Sequence, residues 1–411
     1  MASYLGLVTV SCVAVAASAQ DYRFDGSISK PVLENYLSRA ITMVSVLQDD
    51  LSQPRNKKGV DPRDNIRMIL NLRAKFIGRS VRVQGREIDF PETLKIAEPF
   101  AEAIHKGDPD IILEGGVFEV ITPMVETITV PKYVLEAFGQ PIAERKFRYN
   151  QIAYPPEQNI NHEGRGVPDM SRVEAQMWFY YAATSFIDIG IEAMHFGQVG
   201  LMDRNDPDHK GWIHMLTKVR EYAHAHARRH FVLCDAHENH GGVVADGKLL
   251  FDFHEKPLRI VEVPGHPFTG ELQVGYADSM YQASRGGITP SGWKCDHLPY
   301  LVEFDNFGGM MHEPGGHPSR RPFIWGWDEI TWFGLLPEKD RDAWLAYAWK
   351  WLKQNDPEGH LEMPGSRVMD EGKGIDGPKW FWANTRSPAC PGGFNLETVI
   401  QAIWRGDEPK N

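Results

Sequence analysis

The feature that most constrains this chain is a rhythm. Short runs of β-branched and apolar residues are each followed by a polar turn and then by a stretch of helical periodicity, the pattern of βα units around a buried parallel sheet. Ala40 to Leu47 (AITMVSVL) opens the series, and Lys75 to Ser80 (KFIGRS) follows a helix around Pro62 to Leu72. Asp110 to Leu113 begins a third strand after the helix Pro91 to His105. Ile191 to Phe196 follows the helical stretch Ser171 to Ile187, and Phe231 to Asp235 follows Pro207 to Arg228. For the sixth strand Leu272 to Tyr276 is preferred to Leu258 to Val263. Tyr300 to Phe304 and Phe323 to Trp327 supply the seventh and eighth, and the helix Glu338 to Lys353 closes the cycle. The rhythm predicts an α/β fold of the (β/α)8 TIM-barrel type over residues 39–411. Long loops fall around 141–170 and 237–297, and the second, rich in glycine and strand-like alternation, is expected to carry a β-hairpin insertion.

At 411 residues and 42% hydrophobic, the chain can bury one large barrel core. Its net charge of -11 is spread along the sequence without a basic run, so nucleic acid is not an expected partner. Met1 to Ala19 is apolar and ends Ala17-Ser18-Ala19, the small-x-small pattern of a signal peptide cleaved before Gln20, although no Lys or Arg precedes it. The expectation is a secreted or periplasmic protein. Residues 20–38 are polar and aperiodic and read as a leader. No later run approaches the ~20 apolar residues of a membrane span. Cys234, Cys295 and Cys390 lack metal-ligand spacing and leave room for one bridge at most.

The chemistry is concentrated where strands end. Strand three runs into Glu114, strand four into His195 and Gln198, strand five into Asp235, His237 and Glu238, strand seven into Glu303 and Asp305, and strand eight into Trp325, Trp327 and Asp328. On a barrel these ends converge on one rim, where a concentration of ionisable groups costs free energy unless it binds something or does chemistry. Glu303 and Asp305 stand two apart and so face the same way on an extended strand. They can serve as catalytic carboxylates or form a structural ion pair with an arginine such as Arg79. Glu192, early in strand four, reads as a deep carboxylate paired with an arginine, or as a substrate contact. Phe118 and Phe196 can supply apolar walls, and Trp325 and Trp327 can offer their faces to a sugar ring. Asp235, His237 and His240 form the alternative, a metal site around an activated water. No phosphate-binding glycine loop is present and no cofactor is expected.

With these residues the chain loosely resembles the (β/α)8-barrel glycoside hydrolases, which carry an acid/base after strand four and a nucleophile on strand seven. It departs from them in having His195-Phe196-Gly197-Gln198 where that group usually shows Asn-Glu. The resemblance implies a carbohydrate substrate, Glu303 as nucleophile or base with Asp305 its substitute, and Asp235 or Glu114 as acid. His195, Gln198, His237 and Asp328 would orient hydroxyl groups, and Arg79 at the rim would favour an anionic sugar. A non-catalytic carbohydrate-binding barrel is the remaining alternative.

Overall fold

A computed structural model describes residues 21–159, 164–238, 240–266, 269–306, 324–325, 327–369 and 379–406. The strands Ala40–Met43 (β1), Phe76–Val83 (β2), Ile112–Val117 (β3), Ala193–Gln198 (β4), Leu233–His237 (β5), His254–Pro257 (β6) and Tyr300–Glu303 (β7) lie side by side in chain order, each pair parallel. Gly359–Leu361 and Met363–Val368 are separated only by Glu362 and together form β8. The first part of β8 pairs with β7 and the second with β1, so the sheet closes on itself. The fold is a (β/α)8 barrel.

Helices Pro62–Leu72 (α1), Phe90–Gly107 (α2), Val173–Asp188 (α3), Lys210–His226 (α4), Glu338–Asn355 (α5) and Glu397–Arg405 (α6) follow β1, β2, β3, β4, β7 and β8, while short strands and loops connect β5 to β6 and β6 to β7. The first shows why the sequence makes it there: Asp61 accepts the Arg63 backbone N–H as N-cap and Pro62 occupies the first turn, where its missing N–H costs nothing. Among the described residues no helix is long and apolar enough to cross a membrane. Cys234, Cys295 and Cys390 are buried free thiols, so no bridge links them.

Two strands differ from the expectation. The sixth is His254–Pro257, not Leu272 to Tyr276 or Leu258 to Val263, and like them it lies within the long stretch 237–297. The rest of that stretch does hold hairpins: Val244–Ala245 pairs antiparallel with Lys248–Leu249, and Val261–Glu262 with Gly270–Glu271. The eighth strand is β8, not Phe323 to Trp327. Phe323 lies outside the described residues, while Ile324 and Trp327 make an isolated antiparallel bridge just before the helix Glu329–Leu335. Met1 to Ala19 also lies outside them. Residues 21–38 are not a detached leader, because Lys30–Leu37 is a helix whose Val32, Leu33, Tyr36 and Leu37 are buried against the barrel.

The barrel interior is layered. Ala40, Phe76, Ile112, Ala193, Leu233, Phe253 and Leu301, one residue each at or beside β1 to β7, form an apolar floor with the residues of that N-terminal helix. Their neighbours Ile41, Ile77, Leu113, Met194, Cys234 and Val302 point outward into the core beneath the helices. Two residues beyond the floor, on the same inward face, stand Thr42, Gly78, Glu114, His195, Asp235, Glu255 and Glu303. Glu362 of β8 completes this second layer, its oxygen so close over Gly78 that a Cβ there would lie 1.9 Å from it. Only glycine leaves that space open.

Candidate functional site

Every ionisable member of the second layer is buried: Glu114, His195, Asp235, Glu303 and Glu362 are 0% exposed and Glu255 is 1%. Such a layer persists only if its charges are matched. Arg79 supplies the first match. Its φ of 53° is left-handed, uncommon for a residue with a Cβ, and it sits where the β2–β3 register shifts between Ile77 and Val81. That bulge turns the side chain inward. Its backbone N–H donates to Glu114 (2.8 Å), its Nε to Glu255 (3.1 Å), one Nη to His237 Nε2 (2.6 Å), and the same Nη meets Glu303.

Arginine can only donate, so His237 Nε2 accepts and the ring proton sits on Nδ1. Burial and the adjacent guanidinium hold His237 well below the usual imidazole range, and it is neutral. His195 differs. Its Nδ1 reaches Asp235 at 2.7 Å and Glu255 at 3.1 Å. Burial opposes its charge, but Asp235 and Glu255 outweigh burial and lift it to about 9. Phe118 lies against this pair, its ring 5.3 Å from the His195 ring and 5.6 Å from the Arg79 guanidinium.

The carboxyl groups divide in the same way. Burial, with Asp235 and Glu255 nearby, raises Glu114 well above the carboxylate range, so it keeps its proton and shares it with Asp235. Glu362 is raised well above that range by burial and by Glu255 and Glu303. Burial also pushes Glu303 up, to about 8, against the pull of Arg367 and Arg79. Glu255 goes the other way: burial would raise it, but Arg79 and His195 hold it well below. Near neutral pH the cations Arg79, Arg367 and His195 thus face the anions Glu255 and Asp305, while Glu114, Glu303 and Glu362 are protonated and burial raises Asp235.

Above the layer, Arg367 of β8 binds Glu303 and Asp305 through its two Nη atoms and donates from Nε to Asn306 at 2.6 Å. Asn306 in turn donates to Asp328 at 3.1 Å. Asp328 is the N-cap of the helix Glu329–Leu335, accepting the Thr331 N–H at 2.8 Å, and burial pushes it up to about 6. Its first role is to cap, and it reaches the site only through Asn306.

Of the residues singled out from sequence, Glu114, His195, Asp235, His237, Glu303, Asp305 and Arg79 come together at this end of the barrel. Gln198 stands beside them, its backbone N–H and side chain on Glu119 at 3.1 and 3.3 Å. Arg79 is committed to Glu255 and Glu303, so it is the structural ion pair rather than a rim contact for an anionic sugar. Glu192 is not in the site. It lies below β4 on the opposite parity and pairs with Arg228 at 2.6 Å and Arg229 at 3.5 Å, arginines that follow α4 rather than line the barrel. Phe196 points outward onto Phe179 and Trp212 and walls nothing. Trp325 and Trp327 lie on no barrel strand, and the indole N–H of Trp325 is bound to the Thr269 carbonyl at 3.2 Å. His240 is exposed beyond β5 and does not join Asp235 and His237.

Sequence reasoning missed Glu255, Glu362 and Arg367, because β6 and β8 were not recognised as strands. A metal would find ligand atoms within 4.8 Å of one another on His195, His237 and Glu255. The Arg79 guanidinium already lies against two of the three and supplies the positive charge there.

No family model matches the chain, and no curated protein matches it in sequence. Among solved structures it is similar to the debranching enzyme of Nostoc punctiforme, at 11% identity over 90% of this chain and 80% of that one, with a TM-score of 0.45. It is similar also to an alpha-amylase of Geobacillus thermoleovorans, at 13% identity over 53% of this chain and 51% of that one, with a TM-score of 0.31. A third is the beta-glucuronidase of Parabacteroides merdae, at 9% identity over 83% of this chain and 34% of that one, with a TM-score of 0.35.

Proposed function

We propose that this chain is a carbohydrate-active hydrolase that cleaves a glycosidic bond at the mouth of its barrel, with Glu303 as general acid and Glu255 as the ionised carboxylate facing the anomeric carbon. One observation carries the reading. Glu255 and Glu303 place oxygens within 4.8 Å of each other, yet their surroundings drive their protonation apart, one held ionised and the other pushed up to about 8. Two carboxyl groups so divided are the requirement of glycoside cleavage, in which one donates a proton to the leaving oxygen and the other meets the developing positive charge. Oxygens that lie within 4.8 Å leave no room for the ~6.5 to 9.5 Å gap of inverting enzymes, which favours the retaining course, in which the carboxylate attacks and a glycosyl intermediate is then hydrolysed. This reverses the part that the resemblance implied for Glu303. Asp235 and Glu114 become positioning residues, Asp235 holding the His195 ring that holds Glu255 and Glu114 holding Asp235.

The test is turnover of a panel of polysaccharides and aryl glycosides. Glu303→Gln should lose about 10²- to 10⁴-fold on poorly activated substrates and far less on aryl glycosides with good leaving groups. Equal loss on both would sink the acid assignment. Export belongs to the same proposal, and N-terminal sequencing of secreted protein should begin at Gln20; a start at Met1 or Ala2 would contradict it.

A second reading has its own support. Glu303 is bound by both Arg79 and Arg367 and is fully buried, as a purely structural charge layer would be. A binding barrel of that kind would hold oligosaccharides with Glu303→Gln affinity unchanged while no bond is ever cleaved.

A further inference from the structure

Beside the barrel mouth lies a cleft of about 820 Å³, walled by the segments after β1 and β2 and by Trp380. Its size is that of a ligand site. Five cations line it: Arg55 and Lys57 are exposed, and of the other three, two are already matched. Lys58 sits 3.2 Å from Asp49 and over the Trp380 ring at 4.6 Å, and Arg86 pairs with Asp89 at 2.8 Å.

Arg82 is the third and it is different. Val81 and Val83, on either side of it, are buried in the outer core, so Arg82 points to the inner side of the sheet, towards Arg79 and Arg367. Its one side-chain hydrogen bond is to the neutral Gln84, at 3.2 Å, and among the described residues no carboxylate lies within ion-pair distance of it. Partial burial, with Arg367 and Arg79 adding repulsion, lowers this guanidinium to about 10. A partly buried arginine that faces two other arginines, with no anion of its own, is an unfavourable arrangement in the free protein. Such an arrangement is relieved by an anionic ligand.

We infer that the cleft is a subsite for a negatively charged sugar unit, whose carboxylate or sulfate is received by Arg82, while Trp380 and the neutral amides of Gln48 and Gln53 meet the rest of the ring. The inference depends on the glycosidase reading only in taking the ligand to be a saccharide. It also moves the part expected of Arg79 to Arg82, three residues further along β2.

The test is calorimetric titration of the full mature chain, at one ionic strength, with oligogalacturonate as the carboxylate probe, carrageenan oligosaccharide as the sulfate probe, and maltohexaose and cellohexaose as neutral controls. One anionic probe should bind more tightly than both neutral ones, and which of the two it is identifies the anion. Arg82→Gln should weaken that probe by about tenfold or more, with partial recovery in Arg82→Lys, since a charged hydrogen-bonded partner is lost and then partly replaced. The melting temperature of Arg82→Gln should be no lower than that of the parent, because the substitution removes repulsion, and this establishes that the variant is folded. The inference is overturned if neutral probes bind as tightly, if Arg82→Gln binds the anionic probe like the parent, or if no probe binds. Cleavage of neutral glycans without any anionic preference would end it and leave the hydrolase standing. Anion-selective binding without cleavage of anything would do the reverse.

Discussion

The floor of the barrel and the layer two residues above it are built on the same strands, on the same inward face, and they obey opposite rules. In the floor Phe76, Ile112, Leu233, Phe253 and Leu301 fill space and close it to water. In the layer above, Glu114, Asp235, Glu255 and Glu303 stand at equal depth and lower the stability of the chain unless each is matched. The floor asks only for apolar volume. The layer asks for particular partners at particular atoms, and it has them in Arg79, His195 and Arg367. A protein selected for stability alone would continue the floor upward, since well-packed apolar residues commonly equal or exceed a buried ion network. The proposed function places the chemistry in the second layer.

That contrast can be broken at several points. The largest effect is expected at Glu255, which holds both Arg79 and His195. Glu255→Gln leaves two buried cations short of a partner and should cost about 3 to 5 kcal/mol in denaturant unfolding. A loss below about 1 kcal/mol would mean that the layer is not electrostatically matched through Glu255.

A middle effect is expected in the pH dependence of stability. Glu303 is pushed up to about 8 in the folded chain from an ordinary value of 4.5. Between those values the folded state holds a proton that the unfolded state has lost, so its contribution is full below about 4.5 and falls as pH rises to 8. The slope is about 1.4 kcal/mol per pH unit for one proton. Glu303→Gln should remove that slope from unfolding measured between pH 5 and 8, and an unchanged slope would show that Glu303 is ionised throughout.

The smallest effect is expected at Glu362, which burial keeps protonated over Gly78. Glu362→Gln replaces one neutral group by another of the same shape and should change stability by less than about 1 kcal/mol at pH 4, below the ordinary glutamate value of 4.5, where the side chain is largely neutral in the unfolded chain too. A loss of several kcal/mol would assign Glu362 a charge.

The same contrast explains what the sequence makes legible. Strands β1 to β5 and β7 announce themselves by apolar runs, because their outward residues face the helices and their floor residues are apolar too. β6 reads His254-Glu255-Lys256-Pro257, with no apolar side chain except the proline ring, and β8 is broken by glycines and Pro364. More hydrophobic stretches, Leu272 to Tyr276 and Phe323 to Trp327, outcompete both as candidate strands. The rule that buried parallel strands are apolar fails where the inward face carries the chemistry. One signal was available: an apolar residue, then any residue, then an acid recurs as Ile112-x-Glu114, Leu233-x-Asp235, Phe253-x-Glu255 and Leu301-x-Glu303. Read as a repeat, it would have found Glu255. The bulge at Arg79 and the pairing of β8 with both neighbours depend on contacts between distant segments, and no local pattern reports them.

The most direct test of the account sets the two layers against each other on one strand. Leu301 belongs to the floor and Glu303 to the layer above, two residues further along β7. Melting curves and turnover at pH 6, well below the melting temperature, should be measured for Leu301→Ala and Glu303→Gln on a substrate with a poor leaving group. Leu301→Ala should lose about 2 to 5 kcal/mol of stability and keep its turnover, whereas Glu303→Gln should melt no lower than the parent and lose about 10²- to 10⁴-fold in turnover. If Glu303→Gln turns over at the parent rate, or if its loss of activity merely follows a loss of stability, the second layer is structural and the account is wrong.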